Sequence, residues 1–387
     1  MKKKQITLIA VGDIVLGKRF EKTVRKSKTE GILASVNNCF KGGDVIFGNL
    51  ECPISNSGDP IFKVAPKFRA SPESVYLLKD LGFTILNLAN NHINDFGGLA
   101  IIETMHALTK AHIDFVGAGN NIDEAISPKV IHIQGFRIGF LGFCDKEESI
   151  AKRSAPGAAE VKEDVVNRKI EKLRDEVDYV VLSLHMGIEF VDFPSPHNVA
   201  MCRRFIDRGV NVILGHHPHV PQGYEIYNGG LIIYSLGNFV FDMGRDTPEK
   251  SKIGFIYKIL LTNGNIEKVT PVPYKMNNNY IPHLVHNENE RKALLMYIER
   301  LSTPLKNQQQ MEAIWYSTSR FFTRQLIKAL LYRTFKQKKW WFLMWWLKIA
   351  TRPQVRKVWL SYIWFLARGT HKKTSKNLAF SDFTLGR

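Results

Sequence analysis

Carboxylate, carboxamide and imidazole side chains recur along this chain in places that suit metal chemistry. Asp13 stands alone early. Asn49 and Glu51 follow, then Asn90, Asn91 and His92, then His185, then His216, His217 and His219, and finally Asn238. Imidazole, carboxylate and amide oxygen together, without thiolate, suit a borderline-hard divalent ion such as Mn, Fe or Zn. One ion or two could be held, with Asp13 or Glu51 bridging a pair that clamps the oxyanion of a displacement. Pro218 stiffens the His217-Pro218-His219 triplet, and an extended loop would put both imidazoles on one side. His92, next to Asn91, suits a protonated partner that stabilises charge on a leaving group. Any one of these histidines alone reads as a hydrogen-bonded packing residue. The weight comes from the set.

Each member of the set follows a short apolar run. Ile6–Val11, Val45–Gly48, Thr84–Leu88, Tyr179–Leu184, Val210–Leu214 and Leu231–Ser235 read as buried strands, as does Ile138–Gly142. Between them lie segments of helical spacing: Ser71–Leu81, Gly97–Ala111, Val161–Val177 and Ser195–Arg208. Alternating strands and helices imply an α/β layered fold. Ligands of open α/β sheets bind at strand carboxyl ends, so the polar residues should converge on one sheet edge. Ile253–Leu261 and Ile266–Val272 flank Asn263-Gly264 and read as a hairpin. Lys67 and Arg69 either grip an anionic substrate or line a solvated strand. Asn238 serves either as a turn or cap residue or as support for the site, alongside Asn49 and His216. The glycines form neither a P-loop nor a dinucleotide fingerprint.

The chain has 387 residues, 44% hydrophobic and 23% charged, which excludes a disordered, collagenous or polytopic membrane class. Its four cysteines are scattered, consistent with a reducing compartment. No signal sequence or transmembrane run is expected, which points to a cytoplasmic protein. The net charge of +18 is uneven. Residues 310–387 carry +14 and all seven tryptophans, leaving +4 for the rest. Three parts follow: a domain over 1–275, a linker and helix over 276–310, and a basic aromatic helical tail over 311–387. Cationic helices rich in Trp suit an anionic membrane surface, making the protein peripherally membrane-associated. A helical lid is the second reading of the tail. Nucleic acid ranks last, as no recognised module supports it.

Seven ordered segments carry a resemblance: VGDIVLG (11–17), FGNLECPIS (47–55), PKFRA (66–70), LANNHINDFG (88–97), LSLHMGIEF (182–190), LGHHPHVPQ (214–222) and YSLGNFVFD (234–242). The chain resembles the CapA-type capsule or poly-γ-glutamate biosynthesis proteins of the calcineurin-like metallophosphatase superfamily. The resemblance implies a four-layer αββα sandwich with a metal site at one sheet edge. It assigns Asp13, Glu51, Asn91, His185, His217 and His219 as metal ligands and His92 as the catalytic acid. Two departures stand out. Val15 occupies the place of the usual first-motif histidine, and Glu51 stands in for the second acidic ligand. The resemblance further implies a divalent-metal-dependent hydrolase or transferase acting on an anionic polymer or a phosphorylated substrate. The alternative is a non-catalytic, membrane-docked factor that binds polymer or assembles with a polymer synthase.

Overall fold

The apolar run after Gln5 becomes the central strand of a sheet. The computed structural model describes residues 4–17, 20, 33–63, 66–145, 148–241, 248–331, 356 and 358–363. Strand β1 (Gln5–Val15) lies parallel to β2 (Val45–Leu50), which continues to β3 (Ile85–Asn87) and β4 (Asp114–Val116). On its other side the first half of β1 pairs antiparallel with β14 (Ile253–Thr262), followed by β15 (Asn265–Met276) and β16 (Pro282–Leu284). The end of β1 changes partner and runs parallel to β13 (Asn238–Phe241). Asn263 and Gly264 have φ of 47° and 83°, the left-handed pair that a two-residue hairpin loop needs.

The second sheet has six strands. Its order is β11 (Tyr224–Tyr227), β12 (Gly230–Ile233), β10 (Val212–His216), β9 (Tyr179–His185), β7 (Phe136–Cys144) and β6 (Lys129–Ile133). A two-stranded pair, β5 (Ala118–Gly119) with β8 (Gly157–Ala158), lies outside both sheets.

Strand periodicity sorts the core. Ile6, Leu8 and Ala10 face the second sheet, while Ile9 and Val11 face outward. Phe47 of β2 stacks on Phe140 of β7, with ring centroids 6.1 Å apart. The helices Ala34–Phe40, Ser74–Asp80 and Gly97–Lys110 cover the outer face of the first sheet through Val36, Leu77 and Met105. Glu163–Arg174 and Pro196–Asp207 cover the second through Ile170 and Phe205. The layers are therefore α, β, β, α, as expected. Each of these large buried side chains contributes roughly 1.5–3 kcal/mol.

Ser195 caps its helix by accepting from the Asn198 N–H at 3.1 Å, with Pro196 in the first turn. Ser71 does not cap in this way. Ser74 N–H donates to Ser71 O, and Val75 N–H to Pro72 O. A tight turn thus precedes the helix, which begins three residues later than expected.

Past Met276, β16 extends the first sheet into the expected linker. Asn287 caps the helix Glu288–Ser302, and a further helix spans Gln308–Leu331. Met311 and Ile314 of that helix join the main core. Trp315 and Tyr316 pack with Ile188 and Val191. Residues 332–355, 357 and 364–387 of the expected helical tail lie outside the described residues. Within the expected tail, residues 358–363 are helical, with Val358 buried. Among the described residues no helix is long and apolar enough to cross a membrane.

Candidate metal centre

The partner change along β1 creates the site. Its register against β2 slips between Ala10 and Asp13, and the Asp13 N–H donates to Gly237 O at 2.9 Å. Backbones meet here: a Cβ on Gly12 would lie 1.9 Å from Gly237 O, so only glycine fits. Asp13 stands opposite Asn49 of β2 and Asn238 of β13. Glu51 follows β2, its N–H bonded to Ile14 O at 2.8 Å. His185 ends β9 directly beside His216, which ends β10.

All these side chains are buried. Asp13 Oδ1 accepts from Asn49 Nδ2 at 2.8 Å and lies 3.1 Å from His216 Nδ1. Asp13 Oδ2 accepts from the His217 N–H at 3.2 Å and lies 3.3 Å from His219 Nδ1. His185 Nε2 lies 2.9 Å from Asn91 Oδ1, 3.1 Å from His217 Nδ1 and 3.4 Å from Glu51 Oε1. His219 Nε2 is 3.8 Å from the same Glu51 oxygen. Two groups of donors result, Asp13–Glu51–His185 and Glu51–His217–His219, each with its atoms within 4.8 Å of one another. Glu51 belongs to both.

The Glu51 carboxylate tests the fit of a cation. Both of its oxygens are buried and lack a hydrogen-bond donor among the described residues. A buried carboxylate left so is costly unless a cation meets it. The donors are oxygen and imidazole nitrogen, as Mn, Fe or Zn prefers. These residues fit one or two such ions.

Burial and mutual charge shift the titration of these groups in opposite directions. Burial would raise Asp13, but hydrogen bonds and charge from His216 and His219 hold it well below its ordinary value. Burial raises Glu51 well above its own, against His219 and with the help of Asp13. Burial lowers His185 and His217. Burial also works to lower His219, yet the Glu51 and Asp13 carboxylates lift it to about 10.

The 217–219 loop is not extended. His217 and His219 both have positive φ, 94° and 56°. Such backbone is uncommon outside glycine, though less so for His, and clusters at functional sites. It brings the two rings to 5.9 Å between centroids. Asn238 is no turn residue either. It opens β13 and lies with Oδ1 2.9 Å from His219 Nδ1, while its Nδ2 donates to His219 O and Ser251 O. Asn49 links Asp13 to His185, its Nδ2 3.2 Å from His185 Nδ1.

Lys67 and Arg69 flank Phe68, whose ring centroid lies 4.5 Å from that of His92. Lys67 Nζ donates to Lys63 O, and Arg69 stacks over Phe96 at 4.1 Å. A different lysine comes inward. Lys63, its side chain 3% exposed, pairs with Asp95, donates to Asn91 O at 3.1 Å and lies 3.1 Å from His92 Nδ1. Asp95 Oδ2 lies 2.7 Å from the same His92 nitrogen. The His92-x-x-Asp95 spacing carried a signal for Asp95, whereas nothing in the loop around Lys63 marked it. Glu189, quoted only within a segment, acts electrostatically on Glu51, His217 and His219.

The family model described as bacterial capsule synthesis protein PGA_cap matches residues 7–243. The chain belongs to the PGA_cap family. This family has the metallophosphatase-like fold, and the match runs from β1 through β13, taking in every donor named above. Similar relatives include the capsule biosynthesis protein CapA of Bacillus anthracis, 36% identical over 62% of this chain and 61% of that protein. The PGA biosynthesis protein CapA of Bacillus subtilis is 34% identical over 68% of this chain and 73% of its own. A probable polyglutamine synthesis accessory protein of Mycobacterium tuberculosis is 28% identical over 67% and 72%. The PGA_cap match ends before β14.

Proposed function

We propose that the protein is a divalent-metal-dependent hydrolase or transferase of anionic cell-envelope polymer synthesis, with poly-γ-glutamate as the first candidate substrate. The observation that carries this reading is the Glu51 carboxylate, buried, without a donor, and common to two ligand groups. Asp13, Glu51, Asn91, His185, His217 and His219 would hold the metal, with Asn49, His216 and Asn238 orienting them. A bound cation supplies Lewis-acid polarisation of a phosphoryl or acyl oxygen. His92 moves the proton. Its Nδ1 faces Asp95, which leaves Nε2 for a ligand. Burial lowers His92 to about 4, with Lys63 adding to that and Asp95 opposing it. The ring is therefore neutral at pH 7 and accepts a proton at Nε2, where the sequence suggested a protonated donor. Residues 311–387 dock the protein peripherally on the membrane.

A second reading is favoured by the name of the mycobacterial relative, an accessory protein. Here the sandwich binds polymer or a polymer synthase without turnover. Purified full-length protein with Mn or Zn, offered a generic phosphodiester and γ-glutamyl oligomers, separates the two. Metal-dependent turnover that His217→Ala abolishes supports the enzyme. Stoichiometric, metal-independent oligomer binding without turnover overturns it in favour of the accessory role.

A further inference from the structure

The turn that follows β9 is fastened onto the histidine loop. Its Met186 N–H donates to His216 O at 3.1 Å, and its Phe190 N–H donates to Pro218 O at 2.8 Å. Gly187, with φ of 126°, approaches Pro218, whose Cγ would lie 3.4 Å from a Cβ there. The Gly187 N–H donates to the Asp145 carboxylate at 3.4 Å. Phe190 has φ of 60°, a left-handed conformation that is a genuine outlier for a bulky side chain. Strain of that kind persists only where the surroundings impose it, and it clusters at functional sites. The Phe190 ring centroid lies 6.1 Å from that of His219.

Glu189, between Gly187 and Phe190, is thereby held beside the metal centre. It is half-buried, whereas Asp13 and Glu51 are fully buried. Its charge acts on Glu51, His217 and His219, the three members of one ligand group. On His217 it is the strongest influence after burial. Burial raises Glu51 most, and the charges of Asp13 and Glu189 add to it. Three carboxylates gathered in this way repel one another, and a divalent cation among them turns the repulsion into attraction. The Glu51–His217–His219 group has fewer members than a tetrahedral or octahedral ion coordinates, so further negative charge at its edge has a use.

We propose that Glu189 belongs to the metal centre, where its half-exposed carboxylate strengthens the hold on the divalent cation bound by Glu51, His217 and His219. The inference rests on the metal reading above and adds a residue to it. Glu189 acts by charge across the group, and none of the three members is replaced.

Manganese titration of the chelator-stripped full chain, with free Mn read from its paramagnetic resonance signal, tests this without any turnover. Glu189→Gln should weaken the binding of at least one Mn by about tenfold or more. Glu189→Asp keeps the charge and should stay within about threefold of the unchanged protein. Glu176→Gln alters an exposed carboxylate ahead of the opposite end of β9, and should leave Mn binding as it is. Should Glu189→Gln fail to fold, Glu189→Ser takes its place with the same expected loss. Equal Mn affinity in Glu189→Gln and the unchanged protein overturns the inference and leaves the metal reading standing. So does a loss in Glu189→Asp or Glu176→Gln as large as that in Glu189→Gln, since shape or overall charge would then be the cause. An unchanged protein that takes up no Mn overturns both.

Discussion

Gly12 and Gly237 touch backbone to backbone, and that contact aims Asp13. The Asp13 N–H reaches Gly237 O at 2.9 Å across a gap with no room for a Cβ on residue 12. Gly12→Ala should therefore cost more than overpacking alone, about 3 kcal/mol, because backbone rather than a flexible side chain must give way. Gly264→Ala is the comparison: nothing lies within 4 Å, and only its φ of 83° opposes a side chain, about 1 kcal/mol. Urea unfolding of both variants checks this. Equal losses would show that the close approach is not what matters.

Glu51→Gln should lower both stability and metal loading. The substitution takes the carboxylate partner from buried His219, so the chelated protein should melt lower. Metal content, measured by elemental analysis, should fall, since both ligand groups lose a shared oxygen. A variant that keeps its full metal complement would remove Glu51 from the centre.

The chelated protein should lose stability as pH rises from about 7 to 10. His219, lifted to about 10, contributes stability that is complete below 6.5 and is lost as pH passes 10. Glu51, raised by burial, works in the same direction, with stability falling as pH rises above the ordinary carboxylate value of 4.5. Asp13 works oppositely, its contribution present above its ordinary range and lost only in strong acid. Divalent metal should flatten the alkaline slope by replacing the bound protons. Thermal melts across this range, with and without Mn, measure both slopes.

Lys63 and Asp95 should behave as a unit. Each single change, Lys63→Met or Asp95→Asn, leaves a buried partner uncompensated and should cost about 3 kcal/mol. The double variant should cost clearly less than the sum, with a coupling of about 1 kcal/mol or more. Additive losses would show that the pair does not support His92.

Vesicle binding should be tested by truncation after Leu331, not after residue 310. Met311, Ile314 and Trp315 are buried against the sandwich, so the shorter protein would expose core. Removing 332–387 should abolish co-sedimentation with anionic vesicles while the fold persists. Undiminished pelleting would refute the membrane role.

The strands and most of the donors were legible because burial on both faces writes long apolar runs, and polar residues at their ends interrupt them sharply. Val45–Gly48 and Tyr179–Leu184 are of this kind. β13 is not legible in the sequence: Asn238 reads as a turn or cap residue after Leu231–Ser235, yet it opens the strand Asn238–Phe241. Only the third dimension shows that strand pairing with β1. The conformation of His217 and His219 was misread for a similar reason, since positive φ in a histidine leaves no trace in composition. Lys63 shows the limit most plainly, as one lysine among 54 basic residues looks like any other until its burial is known.

The lateral pairing of Asp13 with Asn238 joins the start of the matched region to its end. A chain that ends before Asn238 therefore lacks the strand that runs beside the end of β1, and Asp13 loses one of its two lateral partners.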